Sequence, residues 1–318
     1  MTEKFTHLHL HTEYSLRDAI TPPEGLMKKC ADVGMKKVAV TDHGNLMGIP
    51  KCAKYAKKYG VQLIPGNEMY LVPDVETCRG REWMRGKSSH LVLVAMDDKG
   101  WENLKILTTR SNSQGFYFEP RIDYQMLEEH NEGLVALTAC LGGVLAKPWF
   151  RDQPLTLVAD RMKSIMGDRI FFEIQLNGRT EQSDYNDAVI KLAHDTDTQL
   201  VATVDSHYLE RTDSHKQDLV FALGMGKQLK DPDRHRYPAE KHSVESPEEV
   251  TSRFVERYGE LGRKAIANTI YISDNCTANV ETESKNYKIP SVPLSQADDY
   301  EDFINWKRTE IANFFFKD

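Results

Sequence analysis

Apolar and polar residues alternate at the start of the chain. Over residues 5–15, His7, His9 and His11 alternate with Thr6, Leu8 and Leu10. This period of two predicts a strand with three imidazoles on one face and the leucines on the other. Thr21-Pro22-Pro23-Glu24 then reads as a helix start, an N-cap candidate followed by prolines in the first turn, and Gly34 closes that helix. Residues 37–41 form a strand pattern, and Asp42-His43-Gly44-Asn45 is the loop at its C-terminal end. A helix runs from there to Tyr59 and stops at Gly60. Residues 62–64 and 68–72 read as two strands broken by Pro65-Gly66-Asn67, and residues 77–88 as a polar, basic loop. Strand patterns follow at 90–96, 134–138, 170–175 and 199–204, with helices at 101–113 and 183–194. Strands alternating with helices in this way predict an α/β domain with a parallel sheet, most simply a barrel. Beyond about residue 212 the pattern turns to helix and loop. Ser246-Pro247-Glu248-Glu249 opens a long helix reaching about Cys276, and a polar, proline-containing tail precedes a last amphipathic helix near 298–316. No internal repeat is visible.

Composition narrows the class. The chain has 318 residues, 40% hydrophobic and 28% charged, which is ordinary globular usage and ample for a core. No apolar run is long enough to span a bilayer, so no membrane association is expected. Met-Thr-Glu-Lys-Phe lacks the apolar segment of a secretory signal. Cys30, Cys52, Cys78, Cys140 and Cys276 are scattered, odd in number and without CxxC spacing, which points to a reducing cytoplasm. A net charge of −7 supplies no general drive toward nucleic acid. Three divalent ions in one cleft would nevertheless add about +6 there.

Candidate chemistry lies in where the metal-type residues fall. His9 and His11 end the first strand and Asp18 follows in the next loop. Asp42 and His43 lie just past the second strand, and Glu68 follows the Pro-Gly turn. Cys140 ends its strand, and Asp205 and His207 end the last. His90 begins its strand and is the exception. Active sites of parallel α/β folds gather at the C-terminal strand ends, and neutral imidazole is the commonest metal ligand. Taken singly, each residue has a plainer role: Cys140 as a small buried group, Asp42 as a helix cap, His90 as a core histidine, Glu68 as an edge position. Their joint placement is what points to a multinuclear centre. His130, His194, His215, His235 and His242 lie in polar or helical contexts and read as surface residues. Arg17 and Arg121 are candidates to meet phosphate, and Gly142-Gly143 is too short for a phosphate cradle.

The strings His-Leu-His-Leu-His-Thr-Glu-Tyr-Ser-Leu-Arg-Asp-Ala, Val-Thr-Asp-His-Gly-Asn, Ile-Pro-Gly-Asn-Glu, His-Leu-Val-Leu-Val-Ala and Asp-Ser-His-Tyr-Leu resemble the polymerase and histidinol phosphatase (PHP) domain. Gly115-Phe116-Tyr117, Pro120-Arg121-Ile122-Asp123 and Thr138-Ala139-Cys140-Leu141-Gly142-Gly143 resemble its polymerase branch, the PHP domain of the bacterial DNA polymerase III alpha subunit. The similarity runs over about residues 3–290. It implies a distorted (βα)7 TIM-like barrel with a short C-terminal helical extension and three divalent ions, zinc or manganese, or iron. Carried over by resemblance, His9, His11, Glu68 and Asp205 hold one ion. Glu68, His90 and Cys140 hold a second, and Asp18, His43 and His207 a third. The chemistry implied is phosphoester hydrolysis, most narrowly a 3′–5′ exonuclease acting on single-stranded DNA or 3′ ends. Asp42, His7 and Arg17 are its supporting candidates. Alternatives are a small-molecule phosphatase of the histidinol phosphatase type, or a docking module for other replisome or polymerase subunits. The expected division is a barrel domain over 1–283 and, over 284–318, a truncated start of the polymerase palm. Palm carboxylates of the Pro-Asp-x-Asp-x-Asp type are missing, since Asp231-Pro232-Asp233 lacks that arrangement. Polymerisation by this chain alone is therefore not expected. A local basic path to DNA would come from Arg79, Arg81, Arg85 and Lys87.

Overall fold

The computed structural model describes residues 4–83, 87–237, 241–280 and 304–305. The elements below all belong to the compact unit that ends at Thr282, and the amphipathic helix expected near 298–316 and the palm-like extension expected over 284–318 lie essentially outside the described residues. Seven strands form the sheet: β1 (Lys37–Val40), β2 (Gln62–Val72), β3 (Ser89–Ala95), β4 (Arg121–Asp123), β5 (Leu134–Leu137), β6 (Ile170–Gln175) and β7 (Leu200–Thr203). Their order is β1-β2-β3-β5-β6-β7, with β4 beside β2. Helices α1 (Pro23–Asp32), α2 (Ile49–Tyr59), α3 (Asp98–Ser113), α4 (Tyr124–Glu129), α5 (Ala146–Trp149), α6 (Thr156–Met166) and α7 (Thr180–Asp195) alternate with the strands. They are followed by α8 (Ser214–Gly224), α9 (Pro247–Tyr258) and α10 (Glu260–Asp274).

The N-terminal histidine segment joins the two ends of this sheet. On one side the amide of Ala39 donates to His7 O (2.8 Å) and that of Thr41 to Leu10 O (2.9 Å). On the other, the amide of His11 donates to Ser206 O at 2.8 Å, just past β7. The sheet is thereby curled into a distorted barrel. The segment is extended but carries only one bridge, Leu10 to Ser206, rather than the regular strand its alternation predicts. Its leucines do not share a face either. Leu8 joins the cluster of Ala39, Ile64, Val92, Val94, Val135, Leu137 and Val201. Leu10 packs instead with Val38, Val40, Leu91 and Leu93. Strands β1, β3, β5, β6 and β7 contribute alternate residues to these two clusters, so both faces of the sheet are buried.

Three further expectations change. The sheet is mixed: β3 runs antiparallel to both β2 and β5. The link from β2 to β3 carries no crossover helix among its described residues, only a 3-10 turn at Arg81–Trp83, and antiparallel neighbours need none. Because β3 is reversed, its first residues lie at the rim where the parallel strands end, which removes the exception of His90. Next, β2 is continuous through Pro65-Gly66. Its first half pairs with β1 and its second with β3, so the dipeptide marks a change of partner. A Cβ at Gly66 would meet Leu93 O at 3.0 Å and Val40 O at 3.1 Å. Finally, the long C-terminal helix is two helices, divided at Gly259 (φ 57°). A Ser246–Glu249 capping box starts α9. Among the described residues no helix is long and apolar enough to cross a membrane.

Candidate metal centre

Glu68 on β2 sits at the hub of the rim. Its Oε1 lies 2.8 Å from His90 Nδ1 and 3.5 Å from His9 Nε2. Its Oε2 lies 2.6 Å from His43 Nδ1 and 3.3 Å from His11 Nε2. Asp205 Oδ1 approaches His9 Nε2 (3.2 Å), His11 Nε2 (3.3 Å) and His207 Nδ1 (3.5 Å). Asp18 Oδ2 is 2.8 Å from His43 Nε2 and 3.5 Å from His207 Nε2. Cys140 Sγ stands 3.9 Å from His90 Nδ1 and accepts the Gly142 amide at 3.4 Å. The structure thus brings His9, His11, Asp18, His43, Glu68, His90, Cys140, Asp205 and His207 to one place.

The orientation of these groups is more telling than their proximity. His9 Nε2, His11 Nε2, His43 Nδ1, both oxygens of Glu68, Asp18 Oδ1 and Asp205 Oδ1 are buried and have no hydrogen-bond partner among the described residues. Several stand within 3.5 Å of one another, yet without the directionality of a hydrogen bond. Nitrogen and oxygen lone pairs face a shared space instead. A buried polar atom left unmade costs on the order of 1–3 kcal/mol, so a cluster of them calls for a cation. Three overlapping groups, His9/His11/Asp205, His43/Glu68/His90 and His11/His43/His207, each hold ligand atoms within 4.8 Å of one another. The mixed imidazole, carboxylate and thiol donors fit divalent ions of the zinc and manganese kind.

Behind these donors lies a layer that aims them. His9 Nδ1 meets Glu173 Oε1 at 2.7 Å, and Gln175 Nε2 donates to the same oxygen at 2.7 Å, as does the Thr203 hydroxyl. Ser15 Oγ donates to Asp42 Oδ1 (2.7 Å) and therefore accepts from His11 Nδ1 (2.9 Å). Asp42 also accepts the Thr12 amide and hydroxyl, each at 2.7 Å. Asp42 is thus tied to His11 through Ser15. In both histidines the proton on Nδ1 leaves Nε2 as a lone pair toward the centre.

His7 is wholly buried, but it faces Glu245 O (3.0 Å) and Ser206 Oγ (3.5 Å) rather than the centre. Arg17 is exposed beside Asp18, with φ at 66°. Ala139 and Asp205, each next to or within the candidate set, have φ of 61° and 59°. Such strain costs on the order of 1–3 kcal/mol and collects at functional sites.

Electrostatics follow from burial and crowding. Burial alone would raise the Glu68 carboxyl, yet His90, His43 and His9 hold it well below the usual carboxylate range. Asp18 and Asp205 are likewise held low by neighbouring imidazoles against the pull of burial. Burial opposes protonation of His9, but Asp205, Glu173 and Glu68 raise it well above its ordinary value. His43 is raised too, against burial, by Tyr70 and Glu68. Burial, with Asp205 and Glu68 nearby, pushes the Cys140 thiol well up. These carboxylates demand positive charge, which protons supply in a metal-free centre and divalent cations can supply instead.

Four site residues escaped the sequence reading: Glu173, Tyr70, Tyr237 and His242. Tyr70 stacks on His43 with centroids 6.0 Å apart. Tyr237 OH lies 3.5 Å from Asp18 Oδ2 and 3.4 Å from His207 Nε2. His242 is not a surface residue but 2% exposed, because its segment pairs with the chain around Tyr208. His194, His215 and His235 are exposed and His130 is half-buried. Arg121 does not face phosphate either. It is buried and donates to Gly115 O (3.1 Å) and Cys78 O (2.6 Å).

The PHP domain model matches residues 7–177, and the chain belongs to the PHP domain family. Among curated relatives, the DNA polymerase III subunit alpha of Thermus aquaticus is 36% identical over 300 residues, covering 92% of this chain and 24% of that one. The corresponding subunit of Aquifex aeolicus is 33% identical over 323 residues, covering 96% and 27%. The chain therefore spans about a quarter of the length of these relatives. A two-domain protein of Bacteroides vulgatus, containing a predicted PHP-like metal-dependent phosphoesterase, aligns in structure with a TM-score of 0.43 at 12% sequence identity, over 90% of this chain and 73% of its own.

Proposed function

We propose that this chain is a metal-dependent phosphoester hydrolase, and more narrowly a 3′–5′ exonuclease acting on DNA ends. The observation that carries the reading is the set of buried, unpartnered donors converging from His9, His11, His43, Glu68, Asp18 and Asp205. His9, His11, Glu68 and Asp205 would hold one divalent ion, Glu68, His90 and Cys140 a second, and Asp18, His43 and His207 a third. Bound there, such ions would lower the pKa of a water and neutralise phosphoryl charge. Glu173 and Asp42 keep His9 and His11 oriented, and Arg17, exposed beside Asp18, would meet a substrate phosphate. In the basic loop Arg79 is tied to Val75 O and Gln114 O, Arg81 and Lys87 are exposed, and Arg85 lies outside the described residues.

Elemental analysis of the purified chain, paired with degradation of 3′-labelled single-stranded DNA with and without manganese, tests this reading. About three ions per chain with chelator-sensitive shortening, lost in His43→Ala at intact fold, is the expected result. No bound ion after reconstitution would sink the site assignment. The similarity to DNA polymerase III alpha subunits carries one second reading, a docking module for other polymerase subunits. A metal-loaded chain inert on DNA and on small phosphomonoesters would leave that reading standing.

A further inference from the structure

We propose that His242 is an additional metal ligand of this centre, acting through Nε2 beside Asp205 and His207; the inference rests on the metal-centre reading above. The backbone places it there. The His207 amide donates to His242 O (2.7 Å) and the Val244 amide to Tyr208 O (3.0 Å), while the His242 amide donates to the Tyr208 hydroxyl (3.1 Å). Residues 242–244 thus run as an added extended segment beside the stretch that carries Asp205 and His207.

The tautomer follows from one contact. His242 Nδ1 lies 2.9 Å from the main-chain oxygen of Asp205. A carbonyl only accepts, so Nδ1 carries the proton and Nε2 is a bare lone pair. That Nε2 is buried and has no partner among the described residues. His207 is held in the same way, its Nδ1 2.9 Å from the same carbonyl. His9 and His11 repeat the arrangement with Glu173 and Ser15 behind them. His7 is the contrast, since both of its nitrogens have protein partners. One nitrogen of each ring and a carboxylate oxygen of Asp205 lie within 4.8 Å of one another, so the three side chains share one corner of the centre.

The test compares His242→Asn and His242→Ala with the wild type. Asparagine keeps an N–H to offer the Asp205 carbonyl but has nothing at the position of Nε2. The expected result is at least tenfold weaker binding of one ion in His242→Asn, with a changed ligand-field spectrum of the cobalt(II)-loaded protein and the remaining ions retained. A packing role alone would leave metal affinity and spectrum of the asparagine variant as in the wild type, and that result overturns the proposal. A measurement on the wild type removes dependence on folding of the variants. Nitrogen-15 NMR of labelled histidines on zinc addition should move His242 together with His9, His11, His43, His90 and His207, and an unmoved sixth imidazole overturns the proposal. A wild type that takes up no ion overturns both this and the metal reading. A loaded wild type with an unchanged asparagine variant overturns this inference alone.

Discussion

Glu173→Gln should weaken metal binding without unfolding the barrel. Glu173 is fully buried, and its Oε1 takes the His9 Nδ1 proton at 2.7 Å while also accepting from Gln175 and Thr203. A carboxylate behind an imidazole fixes its tautomer and raises the basicity of the other nitrogen. Losing such a partner costs 10–100-fold in affinity, or about 1.4–2.7 kcal/mol. Glutamine keeps the volume and an accepting oxygen but not the charge. Charge-assisted bonds are roughly twice as strong as neutral ones, which places Glu173→Gln near tenfold and Glu173→Leu nearer a hundredfold. The leucine variant also strands Gln175 and Thr203, so glutamine is the cleaner probe. Competition against a chromophoric chelator reads the affinity, and its pH dependence adds a second check. In the metal-free chain burial opposes a proton on His9, but Asp205, Glu173 and Glu68 raise it well above its ordinary value. That proton must leave before an ion enters, so affinity should rise with pH. Removing the Glu173 charge should make the rise shallower. Equal affinity and equal slope in the folded glutamine variant would refute the argument.

Three other outcomes follow from the same contacts. Arg121→Met should cost roughly 3 kcal/mol in chemical denaturation, because the Gly115 and Cys78 carbonyls lose a buried charged donor; unchanged stability, or altered metal content in the folded variant, would contradict its structural role. His7→Gln should flatten an acid-side loss of stability. Burial lowers His7 to about 4 in the folded chain against about 6.5 unfolded, so the unfolded state binds the extra proton and stability falls between pH 6.5 and 4 by up to about 3 kcal/mol. Denaturation curves of the two proteins that stay parallel across that window would rule this out. Tyr237→Phe removes a hydroxyl 3.4 Å from His207 Nε2 and 3.5 Å from Asp18 Oδ2; phosphoester turnover should drop about tenfold or more with metal content kept, and full turnover would exclude a part for the phenol.

Much of the fold was legible because local signals agreed with it. The αL glycine at Gly60 ends α2, and the Ser246–Glu249 box starts α9, each as the residues predict. What escaped was what local pattern does not encode. Side-chain alternation is the same whichever way a strand runs, so the reversal of β3 was invisible from residues 90–96. The three residues of β4 are too few to show a period. Helical spacing continues on both sides of Gly259, whose φ of 57° ends α9 and turns the chain into α10. A Cβ at Gly262 would meet Phe254 O at 2.2 Å, so the two helices approach more closely there than a side chain allows.

The centre was legible where metal-type residues stood at strand ends, and illegible where ordinary-looking residues serve them. Glu173 alternates with Phe172 and Ile174 and reads as the solvent side of a strand, yet every residue of β6 is buried. A barrel covered by helices has no solvent side, so a polar residue there must have partners, and its partner is His9. His242 sits in Glu-Lys-His-Ser, a polar string whose exposure is overruled by pairing with Tyr208. Asp18, Glu68, Glu173 and Asp205 count toward the net −7 although all four are at the centre. Three divalent ions, as proposed, would bring −7 + 6 to about −1. The sign of the whole-chain charge therefore carries no argument against a polyanionic substrate.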